Sequence, residues 1–274
     1  MRIGRAEVAL NYAVLGLFAV IALAPLTHVL LSAVTPAGEG GTGFHLPSRL
    51  AWSNFTAAWT EGHFSVYMLN SVLVTAGVVA LTSLLASLAG YAFALMRFPG
   101  RSVLFYVMLL GLVLPAEAFV IPLYYNLRGW GLTDTYWSLL LPQTAQSLAF
   151  GTFWMRNHFA AFPRSIIEAA RLDGVGDMGL LWRILVPSAR PAIMTMALLI
   201  GMWTWNEFLL PLVMTTGDRL RTAPLGLAFF QGQHSTETSL LAAASVIIAA
   251  PIVVLYLFLQ RRFIEGMLSG ATKG

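Results

Sequence analysis

The stretch "EAARLDGVGDMGLLWRILVP", residues 168–187, is charged and broken by glycines, although it lies between two strongly apolar segments. Its charged residues are Glu168, Arg171, Asp173, Asp177 and Arg183. Placing a charged side chain at bilayer depth costs several kcal/mol of free energy, whereas in water or against another protein it can be solvated or paired. The stretch therefore indicates an aqueous segment inside a membrane-embedded chain.

The same region predicts two short helices joined by a glycine turn. Ser165 and Glu168 match a capping box, in which a hydroxyl and a carboxylate satisfy free N–H groups of the first turn. Gly174 supplies the left-handed residue that ends this helix. A second helix is predicted from Gly176 or Asp177 to about Leu185. Apolar residues give the pair a face that no lipid would cover: Ile166, Ile167, Ala169, Ala170, Leu172, Leu180 and Leu181. Such a face needs a protein surface.

The rest of the chain is unusually apolar. Hydrophobic residues make up 58% of it and charged residues 10%, against about 25% charged in soluble domains. A helix needs about 20 mainly apolar residues to cross a bilayer. Six stretches qualify, at about residues 9–34, 68–95, 103–125, 136–156, 191–214 and 240–260. The sequence predicts an all-α polytopic membrane protein, one domain over residues 1–274, with six transmembrane helices and, at 157–190, a loop outside the bilayer that carries the helix pair.

The first apolar stretch follows Arg2 and Arg5, so a cleaved signal peptide is the alternative interpretation. Its apolar part is longer than the roughly 7–15 residues of a signal core, which favours a membrane span. Alternating loops place twelve basic residues on one side: Arg2, Arg5, Arg97, Arg101, Arg156, Arg164, Arg171, Arg183, Arg190, Arg261, Arg262 and Lys273. The other side receives Arg49, Arg128, Arg219 and Arg221. Because cytoplasmic loops retain positive charge, both termini are predicted to be cytoplasmic in a multi-pass cell-membrane protein.

The sequence lacks the residue patterns that several kinds of catalytic, metal-binding or nucleotide-binding site require. A phosphate-binding loop needs a lysine on the phosphates, and the single lysine is Lys273. The five histidines show no i, i+4 pairing, and the chain has no cysteine. No G-x-S-x-G motif is present. We therefore expect no catalytic residue, no metal and no cofactor in this chain.

Two acidic residues near predicted spans are candidates for a solute path. Glu207 follows Trp205 and Asn206, a combination of aromatic faces and hydrogen-bonding groups that suits a sugar. Glu117 lies within another predicted span. The alternative interpretation is a structural acid or a belt of interfacial tryptophans.

The segment at 168–187 resembles the EAA loop of permease subunits in bacterial ATP-binding-cassette importers. The family pattern is matched by Glu168-Ala169-Ala170, Gly174, Ile184 and Pro187, with Val186 in place of the usual Leu. Further stretches are similar to the smaller permease of carbohydrate importers, such as that of the maltose transporter: "NSVLVT" (70–75), "AGYAFALMRFPG" (89–100), "IPLYYNLRGWGLTDTYWSLLLP" (121–142), "WTWNEFLLPLV" (203–213) and "QRRFIEGMLSGATKG" (260–274).

The resemblance implies a subunit of an ATP-driven sugar importer that forms half of the solute pathway. It implies four kinds of partner: a second permease, a dimer of cytoplasmic ATP-binding subunits, an extracytoplasmic solute-binding protein and a sugar, with no nucleic acid. It assigns contact with the ATPase to Glu168, Ala169, Ala170, Asp173, Gly174 and Pro187. Related members carry glycerol-3-phosphate or amino sugars, and these remain alternatives. An ion-coupled carrier, or an intramembrane enzyme using Glu117, Glu207 or His28, are the other hypotheses.

Overall fold

A computed structural model describes residues 4–39, 44, 46–115, 117–230 and 237–271 of the chain. Within these ranges the regular secondary structure is helical throughout, which confirms the all-α prediction. The helices are α1 (Arg5–Ala33), α2 (Ser53–Glu61), α3 (Phe64–Leu95), α4 (Arg101–Leu110), α5 (Glu117–Gly129), α6 (Tyr136–Ala160), α7 (Arg164–Leu172), α8 (Asp177–Ser188), α9 (Arg190–Trp205), α10 (Leu209–Met214), α11 (Ala223–Gly226) and α12 (Thr238–Ala271). Short 3-10 turns occupy Asp218–Leu220 and Leu227–Phe230.

Three helices within the described part of the chain are long and apolar enough to cross a membrane. They lie at Glu7–Ala33, Phe64–Leu95 and Thr238–Phe258, where the first, second and sixth spans are predicted. The pair Asp177–Ser188 and Arg190–Trp205 meets the same criterion only when joined, across a bend of 77°. The membrane-helix character of the chain is therefore clear, and the count of six spans stays a prediction.

Two predicted spans are interrupted by turns. The third is divided between α4, which ends at Leu110, and α5, which begins at Glu117. Pro115 lies in this gap and disfavours helical backbone at the residue before it. The fifth is divided after Trp205, and Pro211 lies in the first turn of α10. Proline has no backbone N–H, and in the first turn of a helix that group would have no helical acceptor. Deeper inside a helix the proline ring would clash with the carbonyl four residues earlier.

Contacts divide the chain into two compact units. The smaller unit comprises Met1–Ser65 and Gly226–Pro251, and the larger comprises Val66–Leu225 and Ile252–Gly274. In the smaller unit the buried Asn54 amide donates hydrogen bonds to the carbonyls of Ala33 and Thr35, at 3.0 and 2.8 Å. These bonds hold the start of α2 against the end of α1.

The larger unit contains the main hydrophobic core. Its buried members come from α3, α5, α6, the α7–α8 pair, α9 and α10, among them Val78, Tyr91, Leu139, Met155, Phe159, Leu180, Leu185, Met196 and Ile200. Glycines allow α3 and α6 to approach closely. A Cβ atom on Gly77 would lie 2.6 Å from Leu140 Cδ2, and one on Gly90 would lie 2.7 Å from Met155 Cβ. Because both contacts advance in the same direction along the two helices, α3 and α6 are parallel.

Helix α9 packs against the same pair in the opposite direction. Gly201 lies beside Thr75 and Val79 of α3, whereas Met196 lies beside Gly151 of α6. Gly151 in turn faces Ala86, farther along α3. Residue numbers therefore fall along α9 as they rise along α3, and the two helices are antiparallel. Close helix contacts through small residues are typical of membrane proteins.

We expect Gly90→Ala to destabilise the protein by about 1–3 kcal/mol, because the added methyl group overpacks the α3–α6 contact. The new Cβ would meet backbone, since the Arg156 nitrogen lies 2.9 Å away and the Met155 carbonyl carbon 3.0 Å away. Gly201→Ala is the matched control, because its Cβ would find only side-chain methyl groups at 3.6 and 3.7 Å. Thermal unfolding in detergent should separate the two variants. Equal unfolding midpoints of the two variants would show that the α3–α6 contact accommodates the added methyl group without strain.

Candidate functional site

The first helix of the predicted coupling pair, α7, begins earlier than the sequence indicates. Pro163 occupies the N-cap position, and the N–H of Ile166 donates to its carbonyl at 3.2 Å. No side chain caps this end, so the predicted capping box at Ser165 and Glu168 is wrong. With the helix starting at Arg164, Ser165 already lies inside the first turn, where its hydroxyl cannot act as the N-cap.

The turn between the two coupling helices follows the prediction. Gly174 has φ +78°, the left-handed conformation. Its N–H donates to the Arg171 carbonyl, and the N–H of Val175 donates to the Ala170 carbonyl, both at 3.0 Å. This pair of bonds is a Schellman motif, which satisfies carbonyls at the end of α7. The second helix, α8, begins at the predicted Asp177.

Helix α8 continues beyond its predicted end near Leu185. It runs to Ser188, with Pro187 inside it and a π-helical segment over Leu180–Leu185. The wider π turn is frequent at functional sites in helices. Ala189 separates α8 from α9, so the coupling pair leads directly into the next predicted span.

The apolar face of the pair is only partly available to a partner. Ile167, Ala170, Leu180 and Leu181 are buried, so the expectation that they await another protein is wrong. They join the core of their own chain, which also contains Tyr91 and Phe159. Three of the predicted side chains stay exposed: Ile166, Ala169 and Leu172, the last with 89% of its surface accessible. Glu168, Asp173 and Gly174 are exposed beside them, and Pro187 is half-buried.

A hydrogen bond fixes the coupling pair to α3. The hydroxyl of Tyr91, near the end of that helix, donates to Asp177 Oδ1 at 2.6 Å. The same oxygen accepts a bond from the Arg171 guanidinium at 3.4 Å. Tyr91 is only 4% exposed. Both coupling helices are thus joined to one point on α3, although Tyr91 and Asp177 lie far apart in sequence.

The candidate path residues Trp205, Asn206 and Glu207 lie together at the break between α9 and α10. Trp205 is buried, whereas Asn206 is exposed and donates to the Met202 carbonyl at 2.7 Å. Glu207 accepts a bond from the N–H of Leu210 at 3.0 Å and so caps α10. This contact is the structural role considered as the alternative for Glu207. A role in the path stays a prediction.

Glu117 belongs to a different element. It is the exposed first residue of α5, directly after the interruption of the third predicted span. Helix α5 packs against α10, so Glu117 begins a helix that neighbours the one capped by Glu207. A carboxylate at a helix N-terminus is also favoured by the helix dipole.

A buried asparagine that the sequence reasoning missed joins three parts of the larger unit. Asn70 of α3 is 2% exposed. Its amide donates to the carbonyls of Arg219 and Arg221, both at 2.9 Å, and its oxygen accepts a bond from the Tyr136 hydroxyl at 2.7 Å. The neighbouring Ser71 hydroxyl accepts a bond from the N–H of Ala223 at 2.8 Å. The sequence signal for these buried bonds was the pair Asn70-Ser71 at the start of an apolar span.

A second joint that the sequence did not reveal links the loop before α6 to the loop after α10. The N–H of Thr216 donates to Asp134 Oδ1 at 2.7 Å, its hydroxyl donates to the other carboxylate oxygen, and the Asp134 N–H donates to the Met214 carbonyl. The two bonds from Thr216 hold the pKa of the Asp134 carboxyl below its ordinary value. Because the folded pKa is lowered, the joint contributes at neutral pH and weakens as the pH falls through that pKa.

Residues 82–268 match the family described as the binding-protein-dependent transport system inner membrane component. The chain belongs to this family. The match includes the α7–α8 pair and both breaks described above. The resemblance to permease subunits of ATP-binding-cassette importers is therefore confirmed, and family membership supports a function as a transport component.

Individual relatives of this inner membrane component are similar over nearly the whole chain. The diacetylchitobiose uptake system permease protein NgcG of Streptomyces coelicolor is 33% identical over 96% of this chain and 88% of its own. The arabinooligosaccharides transport system permease protein AraQ of Halalkalibacterium halodurans is 34% identical over 93% of both chains. The fold matches a chain of a bacterial ABC transporter for import of the acidic polysaccharide alginate, with TM-score 0.82, 24% identity and 96% and 98% coverage.

Proposed function

We propose that this chain is one of the two transmembrane subunits of an ATP-driven importer for short oligosaccharides. The α7–α8 pair is the observation that carries the proposal. It presents an exposed acidic and apolar surface on one side, and on the other it is buried in the core of its own chain and bonded to α3. Relatives named for diacetylchitobiose, arabinooligosaccharides and trehalose support this substrate class.

The exposed surface of α7 docks into a cytoplasmic ATPase. Its residues are Glu168, Ala169, Leu172, Asp173 and Gly174, with Ile166 beside them. The small Ala169 allows close approach, and the Glu168 carboxylate pairs with an arginine of the ATPase, as the family resemblance implies. Because Ile167, Ala170 and Leu180 are packed inside the permease, a displacement of α7 is passed to the helices behind it.

The Tyr91–Asp177 bond gives this displacement a defined path into α3. Packed cores and hydrogen-bonded joints transmit shifts because they have few alternative arrangements. Helix α3 in turn packs tightly on α6 at Gly77 and Gly90. Closure of the ATPase subunits would thus reach two spans through one hydrogen bond and two glycine-mediated contacts.

Six spans with both termini in the cytoplasm are the topology that goes with this role. The twelve-to-four distribution of basic residues supports it. The helix directions support it as well, since α3 and α6, separated by one predicted span, are parallel, and α9 runs against both. The α7–α8 pair then lies on the cytoplasmic side, as docking requires.

The break between α9 and α10 is the proposed lining of the solute path, with Trp205, Asn206 and Glu207 at its centre. Irregular backbone at membrane depth persists where it is covered by protein or lines a cavity. Glu117 begins the helix that packs against α10. The path is completed by a second permease, and an extracytoplasmic binding protein delivers the sugar.

The sequence contains no G-x-x-x-x-G-K-[ST] phosphate-binding loop, so the proposed source of energy is the partner ATPase. An ion-coupled carrier would leave the exposed surface of α7 without a role. The importer proposal accounts for it.

The test is purification of the tagged chain from its native membrane, followed by ATPase assays with the binding protein and a panel of oligosaccharides. We expect a second permease and an ATPase to co-purify, and hydrolysis to rise with a cognate di- or oligosaccharide. Glu168→Gln should lower ATPase recovery, since breaking a partly buried charge pair costs about 2–5 kcal/mol.

Glu61→Gln is the matched control, because Glu61 is an exposed acid at the end of α2, outside the coupling pair. It should leave assembly and stimulated hydrolysis unchanged. Normal ATPase recovery and stimulation in Glu168→Gln would contradict the docking role, and purification of the chain alone would contradict the importer.

A further inference from the structure

Three arginines face one cavity where the end of α3, the start of α4 and the end of α6 meet. The cavity has a volume of about 530 Å³. Its basic residues are Arg97, Arg101 and Arg156, and its walls include Phe98, Phe105 and Tyr106. Among the residues that the structure describes, none of those lining it carries a carboxylate. All of these residues belong to the larger unit, and the coupling pair and the α9–α10 break contribute none of the lining.

Two of the guanidinium groups are held in place by their own chain. Arg101 donates to the carbonyls of Met96 and Ala94, at 3.0 and 3.4 Å. These bonds tie the start of α4 to the end of α3. Arg156 stacks over the Phe105 ring with 4.2 Å between the guanidinium carbon and the ring centroid. Fixed guanidinium groups lose little side-chain entropy when they bind a ligand.

Within the described part of the chain, no acidic side chain forms an ion pair with the arginines of the cavity. The two acid–base ion pairs recorded within the described part of the chain join Arg171 to Asp177 and Arg221 to Asp218. Neither pair involves a cavity arginine. Three like charges around one cavity repel each other, and a bound anion removes that repulsion. A phosphate suits them, because arginine forks match its oxygens in paired hydrogen bonds.

The surface beside the cavity is apolar and exposed. Val103, Leu104, Tyr106 and Val107 of α4 each have more than half of their surface accessible, at 66%, 54%, 67% and 58%. Val103 and Tyr106 also line the cavity. A ligand with a phosphate in the cavity and hydrocarbon chains along α4 would cover both surfaces at once, whereas a soluble anion would leave the apolar surface open.

We propose that this cavity binds the phosphate of an acidic phospholipid, with the acyl chains along α4. The inference rests on the proposed topology, which puts Arg97, Arg101 and Arg156 at the cytoplasmic face. Basic pockets between transmembrane helices on that side are suited to acidic lipid headgroups. The lipid acts as the missing counter-ion of the three arginines and fastens α4 to the end of α6.

The test is native mass spectrometry of the purified complex in micelles containing phosphatidylglycerol or phosphatidylethanolamine. We expect phosphatidylglycerol to be retained on the permease subunit in preference to the zwitterionic lipid. The triple variant R97Q/R101Q/R156Q should lose at least about tenfold in retention, because it removes all three charges that attract the acidic headgroup. The matched control R49Q/R128Q/R219Q removes the same charge at exposed positions elsewhere and should retain the lipid.

Equal retention of the two lipids, or full retention by the cavity variant, would overturn the proposal. Displacement of the lipid by millimolar inorganic phosphate would also overturn it, because the site would then serve a soluble anion. Since lipid retention is measured without transport, a failure of the importer proposal leaves this result interpretable. A cysteine replacing the exposed Ser102 tests the topology separately, by labelling from the cytoplasmic side in inverted vesicles.

Discussion

Gly174→Val is expected to abolish solute-stimulated ATP hydrolysis while the permease still inserts into the membrane. The backbone at this position has φ +78°, and a β-branched residue there is strongly disfavoured. Backbone strain of this kind costs about 1–3 kcal/mol, enough to open a turn held by two hydrogen bonds. The bonds at risk are those from Gly174 to Arg171 and from Val175 to Ala170.

Loss of that turn would change the angle between α7 and α8. The buried side chains Ile167 and Leu180 could then no longer both remain in the core, and the exposed surface around Glu168 would be displaced from the ATPase. ATPase recovery on the tagged permease and the ratio of stimulated to basal hydrolysis are the measurements. The ATPase recovery and the hydrolysis ratio should both fall to the values of a permease that does not bind the ATPase.

Gly176→Val provides the control, because it places the same side chain two residues farther along. Gly176 has φ −73° and ψ 170°, an extended conformation that valine adopts readily. A Cβ atom meets nothing within 4 Å at either glycine, so crowding is equal at the two positions. Similar loss of coupling in both variants would show that the left-handed turn is not the determining feature.

Asn70→Leu is expected to reduce the stability of the permease more than any other single side-chain change discussed above. The replacement has a similar volume but leaves three groups without their partner, namely the Arg219 and Arg221 carbonyls and the Tyr136 hydroxyl. Each buried polar group left unsatisfied costs about 1–3 kcal/mol, so a total loss of about 2–5 kcal/mol is expected after partial relaxation. The midpoint of thermal unfolding in detergent and the abundance in the membrane should both fall.

Asn126→Leu is the corresponding control on an exposed surface of α5. It should change stability by no more than about 0.5 kcal/mol. Tyr136→Phe removes one of the three bonds and should give an intermediate loss. If Asn70→Leu unfolds at the same temperature as the control, the bonds around Asn70 contribute nothing net to folding.

Local chemistry explains which features of the coupling pair were predictable. Gly174 ends α7 and Asp177 begins α8, because a left-handed residue and a turn are decided by a few neighbouring residues. The capping box failed for the same local reason, since Pro163 starts the helix and moves Ser165 into its first turn. The sequence pattern could not predict which half of the apolar face is buried. Ile167 and Leu180 pack with residues such as Tyr91 that are distant in sequence.

By itself, the sequence determined the apolar composition, the charge asymmetry and the family pattern at Glu168–Pro187, all of which depend on residue identity and spacing alone. Only the tertiary structure decided where helices are interrupted. Pro25, Pro122, Pro142 and Pro251 lie inside helices, whereas Pro115 lies in a break. A proline leaves a carbonyl without its helical donor, and neighbouring helices and side chains determine whether that group is satisfied. The same dependence on distant partners governs Asn70, whose three bonds join segments that fold together only in the completed molecule.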